Sequence, residues 1–187
     1  MTQWHRRDGL WVAILGLILV AGTGRTAPFP PDKLPESVSK TFHAAFPNGV
    51  IQKLDAEEEN GVMVFDFEFL AGDREKETDI TGDGTMIEST LVITPKDFPA
   101  PAMKAIRAAA KGAKLGRCEW IETRYDLKDG KVVPMDKPMI KYAAEMTKAG
   151  KKAEVIVTAG GRMVEGPEWM PDTTAKAPAQ TPSKTGS

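Results

Sequence analysis

The sequence predicts an α+β fold of two repeated units, each a helix packed on a mainly antiparallel four-stranded sheet. Three observations carry this reading. Residues 61–70 alternate with period two and place aromatic side chains on one side. Two amphipathic helix patterns each open on an apolar residue followed by proline. Similar segments recur along the chain at fixed offsets.

The first helix is expected over Pro35 to Phe46, with Leu34, Val38, Phe42, Ala45 and Phe46 on one stripe. Pro35 suits the first turn, where a backbone N–H has no partner in any case. Pro47-Asn48-Gly49 ends the helix. A strand follows over residues 50–59, its far end acidic. Asn60-Gly61 then makes a tight hairpin turn, because both residues tolerate positive φ.

In the next strand Met63, Phe65, Phe67 and Phe69 alternate with Val64, Asp66, Glu68 and Leu70, the pattern of a half-buried strand. Residues 74–80 and 85–93 pair across Thr81 to Gly84. The second helix is expected over Pro99 to Lys111. Its stripe is Met103, Ile106, Ala109 and Ala110, Asp97 is its candidate cap, and Gly112 is its stop.

The recurrence is legible in particular residues. Leu34-Pro35 returns as Phe98-Pro99, which defines a shorter offset. The run Thr81 to Glu88 returns as Thr158 to Glu165 at a longer offset, and the difference implies an insertion around residues 126–136. Residues 138–149 have helical propensity by themselves. The longer offset instead aligns Tyr142, Ala144 and Met146 with Phe65, Phe67 and Phe69, so a strand is expected there. Unit 1 then spans residues 32–94 and unit 2 residues 95–169.

The ends differ in kind. Arg6 and Arg7 precede an apolar run over residues 10–21, and small residues follow. That order is a secretory signal, assigned to residues 1–24 with the cleavage point left open. The run is shorter than the ~17–25 residues a spanning helix needs, so no stable membrane span is expected after cleavage. A periplasmic or secreted protein follows. Residues 170–187 are rich in Pro, Thr, Ala, Lys and Ser and are expected to be a disordered tail.

Composition narrows the chemistry. With 25 basic and 26 acidic residues, the formal net charge of −1 lacks the cationic excess of a nucleic-acid binder. The single cysteine, Cys118, cannot close a disulfide within the chain, and at the shorter offset it aligns with Leu54, a core position. His43 is the one histidine beyond the signal, so no histidine–cysteine metal set can form. Asp79, Thr81, Asp83 and Gly84 begin like a calcium loop, but its twelfth position is Thr90, and a plain hairpin turn is expected. No cofactor, metal or catalytic group is predicted.

The run LPESVSKTFHAAFPNGVIQKLDAEEENGVMVFDFEFLAGDREKETDITGDGTMIES, residues 34–89, resembles PepSY-like domains, exported modules related in fold to beta-lactamase-inhibitor-like proteins. The matching features are a Leu-Pro helix ending in Phe-Pro, an acidic strand, an aromatic-acidic strand, and a strand entering a glycine-rich turn. Residues 98–165 resemble the pattern more loosely, since their helix lacks a terminal Phe-Pro. The resemblance implies an extracytoplasmic binding, regulatory or inhibitory role and no catalytic set.

The expected function is therefore a non-enzymatic module that binds an extracytoplasmic protein or peptide on its open sheet face. The candidate surface comprises Asp66, Glu68, Trp120, Glu122 and Arg124, with Trp120 either an exposed anchor or a packed residue. The acidic run Asp55, Glu57, Glu58 and Glu59 is either a solvated strand end or a surface that steers a basic partner. A structural or stress-related envelope protein and a small carboxylate-based hydrolase are the alternatives.

Overall fold

A computed structural model describes residues 29–172, so the expected signal at residues 1–24 and the expected tail beyond Asp172 lie outside the described residues. A short 3-10 turn at Pro31–Lys33 leads into α1 (Glu36–Ala45). Four strands follow: β1 (Gly49–Glu59), β2 (Val62–Ala71), β3 (Arg74–Thr81) and β4 (Met86–Ile93). Then come α2 (Ala100–Ala110), β5 (Lys114–Lys128), β6 (Lys131–Lys148), β7 (Lys151–Thr158), β8 (Met163–Glu165) and β9 (Met170–Pro171). The fold is α+β, two helices on one antiparallel sheet with strands in chain order from β1 to β8. Met170–Pro171, placed by the sequence at the start of the tail, pair as β9 with Lys151 and Lys152. Among the described residues, no helix is long and apolar enough to cross a membrane.

Residues 138–149 are strand, all but Ala149 lying within β6. Burial overrides helical propensity here. Alternation puts Ala144 and Met146 under α2, while Glu145 points to the other face.

The register fixes which side carries the helices. Phe69, Lys76, Leu91, Trp120, Tyr142 and Val157 lie opposite one another across β2 to β7 and so share a face. At one end of this face α1 covers Leu54, Phe65, Phe67, Phe69 and Ile80. Phe42 of α1 stacks on Phe67 at 4.5 Å and meets Phe69 edge-on at 5.0 Å. At the other end α2 places Ala102, Met103 and Ile106 over Cys118, Ala144, Met146, Val155 and Val157. Among the described residues, no helix packs on the opposite face.

Corresponding positions carry the same local bonds. Pro35 and Pro99 open the helices at φ −55° and −54°, neither with a side-chain cap. Asp97, the expected cap of α2, instead accepts bonds from the Thr94 N–H and hydroxyl, both at 2.8 Å, because its turn closes before the helix begins. In the β3–β4 turn Thr81 N–H bonds Thr85 O at 2.9 Å and Gly84 N–H bonds Thr81 O at 2.8 Å. In the β7–β8 turn Thr158 N–H bonds Arg162 O at 2.9 Å and Gly161 N–H bonds Thr158 O at 2.8 Å.

The β5–β6 hairpin, which contains residues 126–136, is long enough to reach across the helix-free face. Leu127, Tyr125 and Val132 pack with Val64 and Ile87, and the hairpin tip meets the β1–β2 turn.

Candidate functional site: the acidic helix-free face

Asp66 and Glu68 project from β2 away from the phenylalanines, onto the helix-free face. Asp66 lies opposite Asp55 on β1 and Asp79 on β3, and Asp79 lies opposite Glu88 on β4. Four carboxylates thus stand side by side across four strands, an arrangement that like-charge repulsion disfavours. One oxygen of Asp66 is buried without a hydrogen-bond partner. Burial and then the neighbouring Glu68 charge push the Asp66 carboxyl up to about 7. Asp79 is driven well above the usual carboxylate range by burial, then by Glu88 and Asp66.

Cations compensate part of this field. Lys53 bridges Asp55 at 2.6 Å and Glu68 at 2.9 Å. Lys141 reaches Glu88 at 3.0 Å. Arg117 holds Glu75 at 2.8 Å and also bonds Glu77 and Glu119, one guanidinium for three acids. Glu77 and Glu119 are 4% and 2% exposed, and each keeps one buried oxygen unpartnered. Burial, reinforced by Glu119 and opposed by Arg117, raises Glu77 to about 8. Burial also raises Glu119, against the pull of Arg117.

The same chemistry recurs at the offsets that align the two halves. At the shorter offset Lys53 and Asp55 correspond to Arg117 and Glu119. At the longer one Glu68, Glu77 and Glu88 correspond to Glu145, Glu154 and Glu165. Glu154 faces Glu145 directly across β6 and β7, and burial followed by Glu119 and Glu145 raises it to about 8. The residues singled out from the sequence omitted Arg117, Glu88, Glu119 and the second-half acids. Aligning Lys53-x-Asp55 with Arg117-x-Glu119 would have found Arg117 and Glu119.

Trp120 and Glu122 lie on the other face. Trp120 pairs with Leu91 and Tyr142, and Glu122 pairs with Ser89 and Ile140. The β5–β6 register slips between Thr123 and Tyr125, and the exposed Arg124 in that slip bonds Glu122 at 3.1 Å. The five candidate residues therefore divide between opposite faces.

His43 and Cys118 lie apart. His43 is exposed on α1 with its ring against Phe42. Cys118 is buried beneath α2, its thiol raised by burial. Among the described residues, no group of three or more His, Cys, Asp or Glu side chains is placed to hold a metal ion.

No family profile matches the chain, and no curated protein matches its sequence. Solved structures do match its fold. A protein provisionally described as periplasmic, from Bacteroides eggerthii, superposes with a TM-score of 0.54 at 15% identity, over 74% of this chain and 90% of its own. A DUF2874 family protein from Bacteroides uniformis gives 0.53 at 15% identity, over 72% and 88%. A BLIP-like protein from Bacteroides fragilis gives 0.49 at 13% identity, over 80% and 91%. At these identities the likeness is one of fold.

Proposed function

We infer that this chain is an exported, non-enzymatic binding domain made of two duplicated PepSY-like units, which takes a basic protein or peptide segment on its helix-free face. The observation that carries this reading is the row Asp55, Asp66, Asp79 and Glu88, with its unpartnered buried oxygen on Asp66. Such a row is frustrated in the free domain, and an incoming ammonium or guanidinium relieves it. The duplicated units are supported by the matched helix openings, turn bonds and cation–carboxylate pairs. Export is supported by the basic start and short apolar run of residues 1–24, and by the fold shared with a protein provisionally described as periplasmic.

A direct test uses a lysine–threonine alternating peptide as the probe. Titration calorimetry should give saturable binding that weakens as salt is raised, with loss of affinity in Asp66→Asn and Glu68→Gln. Binding that ignores both substitutions would place recognition elsewhere on the molecule.

A further inference from the structure

Both halves of the helix-free face carry a pair of facing glutamates. Glu68 stands opposite Glu77 across β2 and β3, and at the longer offset Glu145 stands opposite Glu154 across β6 and β7. In each pair a lysine holds one member. Lys53 bonds Glu68 at 2.9 Å, and Lys152 bonds Glu145 at 2.7 Å. The other members differ. Glu77 receives the Arg117 guanidinium, which reaches it from β5, two strands along the sheet. Glu154 makes no hydrogen bond or ion pair among the described residues.

Strand order explains the difference. Beside β3 lie β4 and then β5, which supplies Arg117. Beside β7 lies β8, three residues long, and the sheet path ends there. β8 pairs with β7 at Ile156 and Val157, and β9 pairs at Lys151 and Lys152, so neither pairs at Glu154. Among the described residues, no strand stands to Glu154 as β5 stands to Glu77. Its surroundings are just as acidic. Burial and the charges of Glu119, Glu145 and Glu165 act on it against Lys152. Glu119 is buried, and its second oxygen has no partner. Glu154 itself is only half-buried, so a side chain arriving from outside can reach it. Arg117 shows which group suits such a place, because it bonds Glu77 on β3 and Glu119 on β5 at once. The planar fork of a guanidinium spans carboxylates on different strands, whereas an ammonium is a compact point charge.

We propose that Glu154, with Glu119 and Glu145 beside it, is the seat for an arginine side chain of the bound segment, which stands to Glu154 as Arg117 stands to Glu77. This inference rests on the reading of the helix-free face as a site for basic segments, and it adds the residue type and the place of one anchor.

The test uses two probes, the lysine–threonine alternating peptide and the same peptide with arginine at every lysine position. Each is titrated by calorimetry into the full chain at pH 8, close to where Glu154 gives up its proton. The arginine peptide should bind at least about tenfold tighter, as expected for an added charge-assisted pair. Glu154→Gln should abolish that advantage and leave the lysine peptide's affinity nearly unchanged. The variant replaces a carboxyl by an amide of the same shape, so its circular dichroism spectrum should match the parent's. Asp66→Asn should weaken both peptides alike. Equal affinity of the two peptides for the parent, or an arginine advantage that survives Glu154→Gln, overturns the seat. In either case, binding that still depends on Asp66 leaves the broader reading of the face standing. No binding of either peptide overturns both.

Discussion

Gly130, at the tip of the β5–β6 hairpin, donates its backbone N–H to the carbonyl oxygen of Asn60 in the β1–β2 turn at 2.8 Å. The two turns abut so closely that a Cβ placed on Gly61 would stand 3.2 Å from the Gly130 Cα. This bond ties the β5–β6 arm to the first hairpin and closes one end of the acidic face.

Substitution at that junction should separate backbone strain from tip contact. Gly61 and Gly72 both have positive φ, at 80° and 68°, but a Cβ on Gly72 meets nothing within 4 Å. Gly72→Ala should cost about 1 kcal/mol from its φ alone. Gly61→Ala should cost about 1 kcal/mol more and should speed amide exchange at Leu127 and Val64. Urea denaturation of the two variants gives the difference, and equal midpoints would mean that the tip contact contributes no stability.

Two glycines seat the turns against the helices. A Cβ on Gly84 would lie 2.9 Å from the Ser37 carbonyl oxygen, and one on Gly161 would lie 2.6 Å from that of Pro101. Ser37 and Pro101 are themselves related by the offset that relates the two helix openings. Gly84→Ala and Gly161→Ala should each lose about 2–4 kcal/mol, since strain at positive φ adds to a backbone clash. Thermal denaturation of both should show similar losses if the two turns do the same structural work.

Stability should fall as the solution becomes alkaline. Asp66, Glu77 and Glu154 titrate near 7, 8 and 8 in the folded chain, against 3.8, 4.5 and 4.5 ordinarily. Between the ordinary and the raised values the folded state binds more protons than the unfolded one. The stabilisation is therefore complete below about pH 4 and is lost as pH rises through 7 to 8. Denaturation midpoints should therefore drop between pH 5 and pH 8, the interval over which the three groups lose the protons that the fold favours. Glu154→Gln should flatten that slope, and a midpoint that rises over this interval would contradict the assignment.

Arg117 should be worth most where its acids are charged. Arg117→Leu strands Glu75, Glu77 and Glu119 together and should cost about 3 kcal/mol at pH 8. The loss, read from urea denaturation, should shrink at pH 5, where Glu77 is protonated and no longer depends on the guanidinium. Adding Glu77→Gln and Glu119→Gln to Arg117→Leu should recover much of the difference at pH 8.

Features that depend on neighbours along the chain were legible in the residues alone. Alternation assigned Phe65, Phe67 and Phe69 to one side of β2 and Asp66 and Glu68 to the other. Asn60-Gly61 marked a turn that the structure builds at φ 47° and 80°. The longer repeat offset identified a strand at Tyr142 to Met146, where propensity alone indicated a helix. Which strands lie beside which emerged in the folded chain, because the order and register of a sheet are set by contacts distant in sequence. That order placed Trp120 and Glu122 on the helix-bearing face. It aligned Asp55, Asp66, Asp79 and Glu88 in one row, brought Arg117 to Glu75 and Glu77 from a distant part of the chain, and laid the β5–β6 arm on the first hairpin. Period-two patterning says which side chains share a face, but not which face receives the helices or what lies across from each residue.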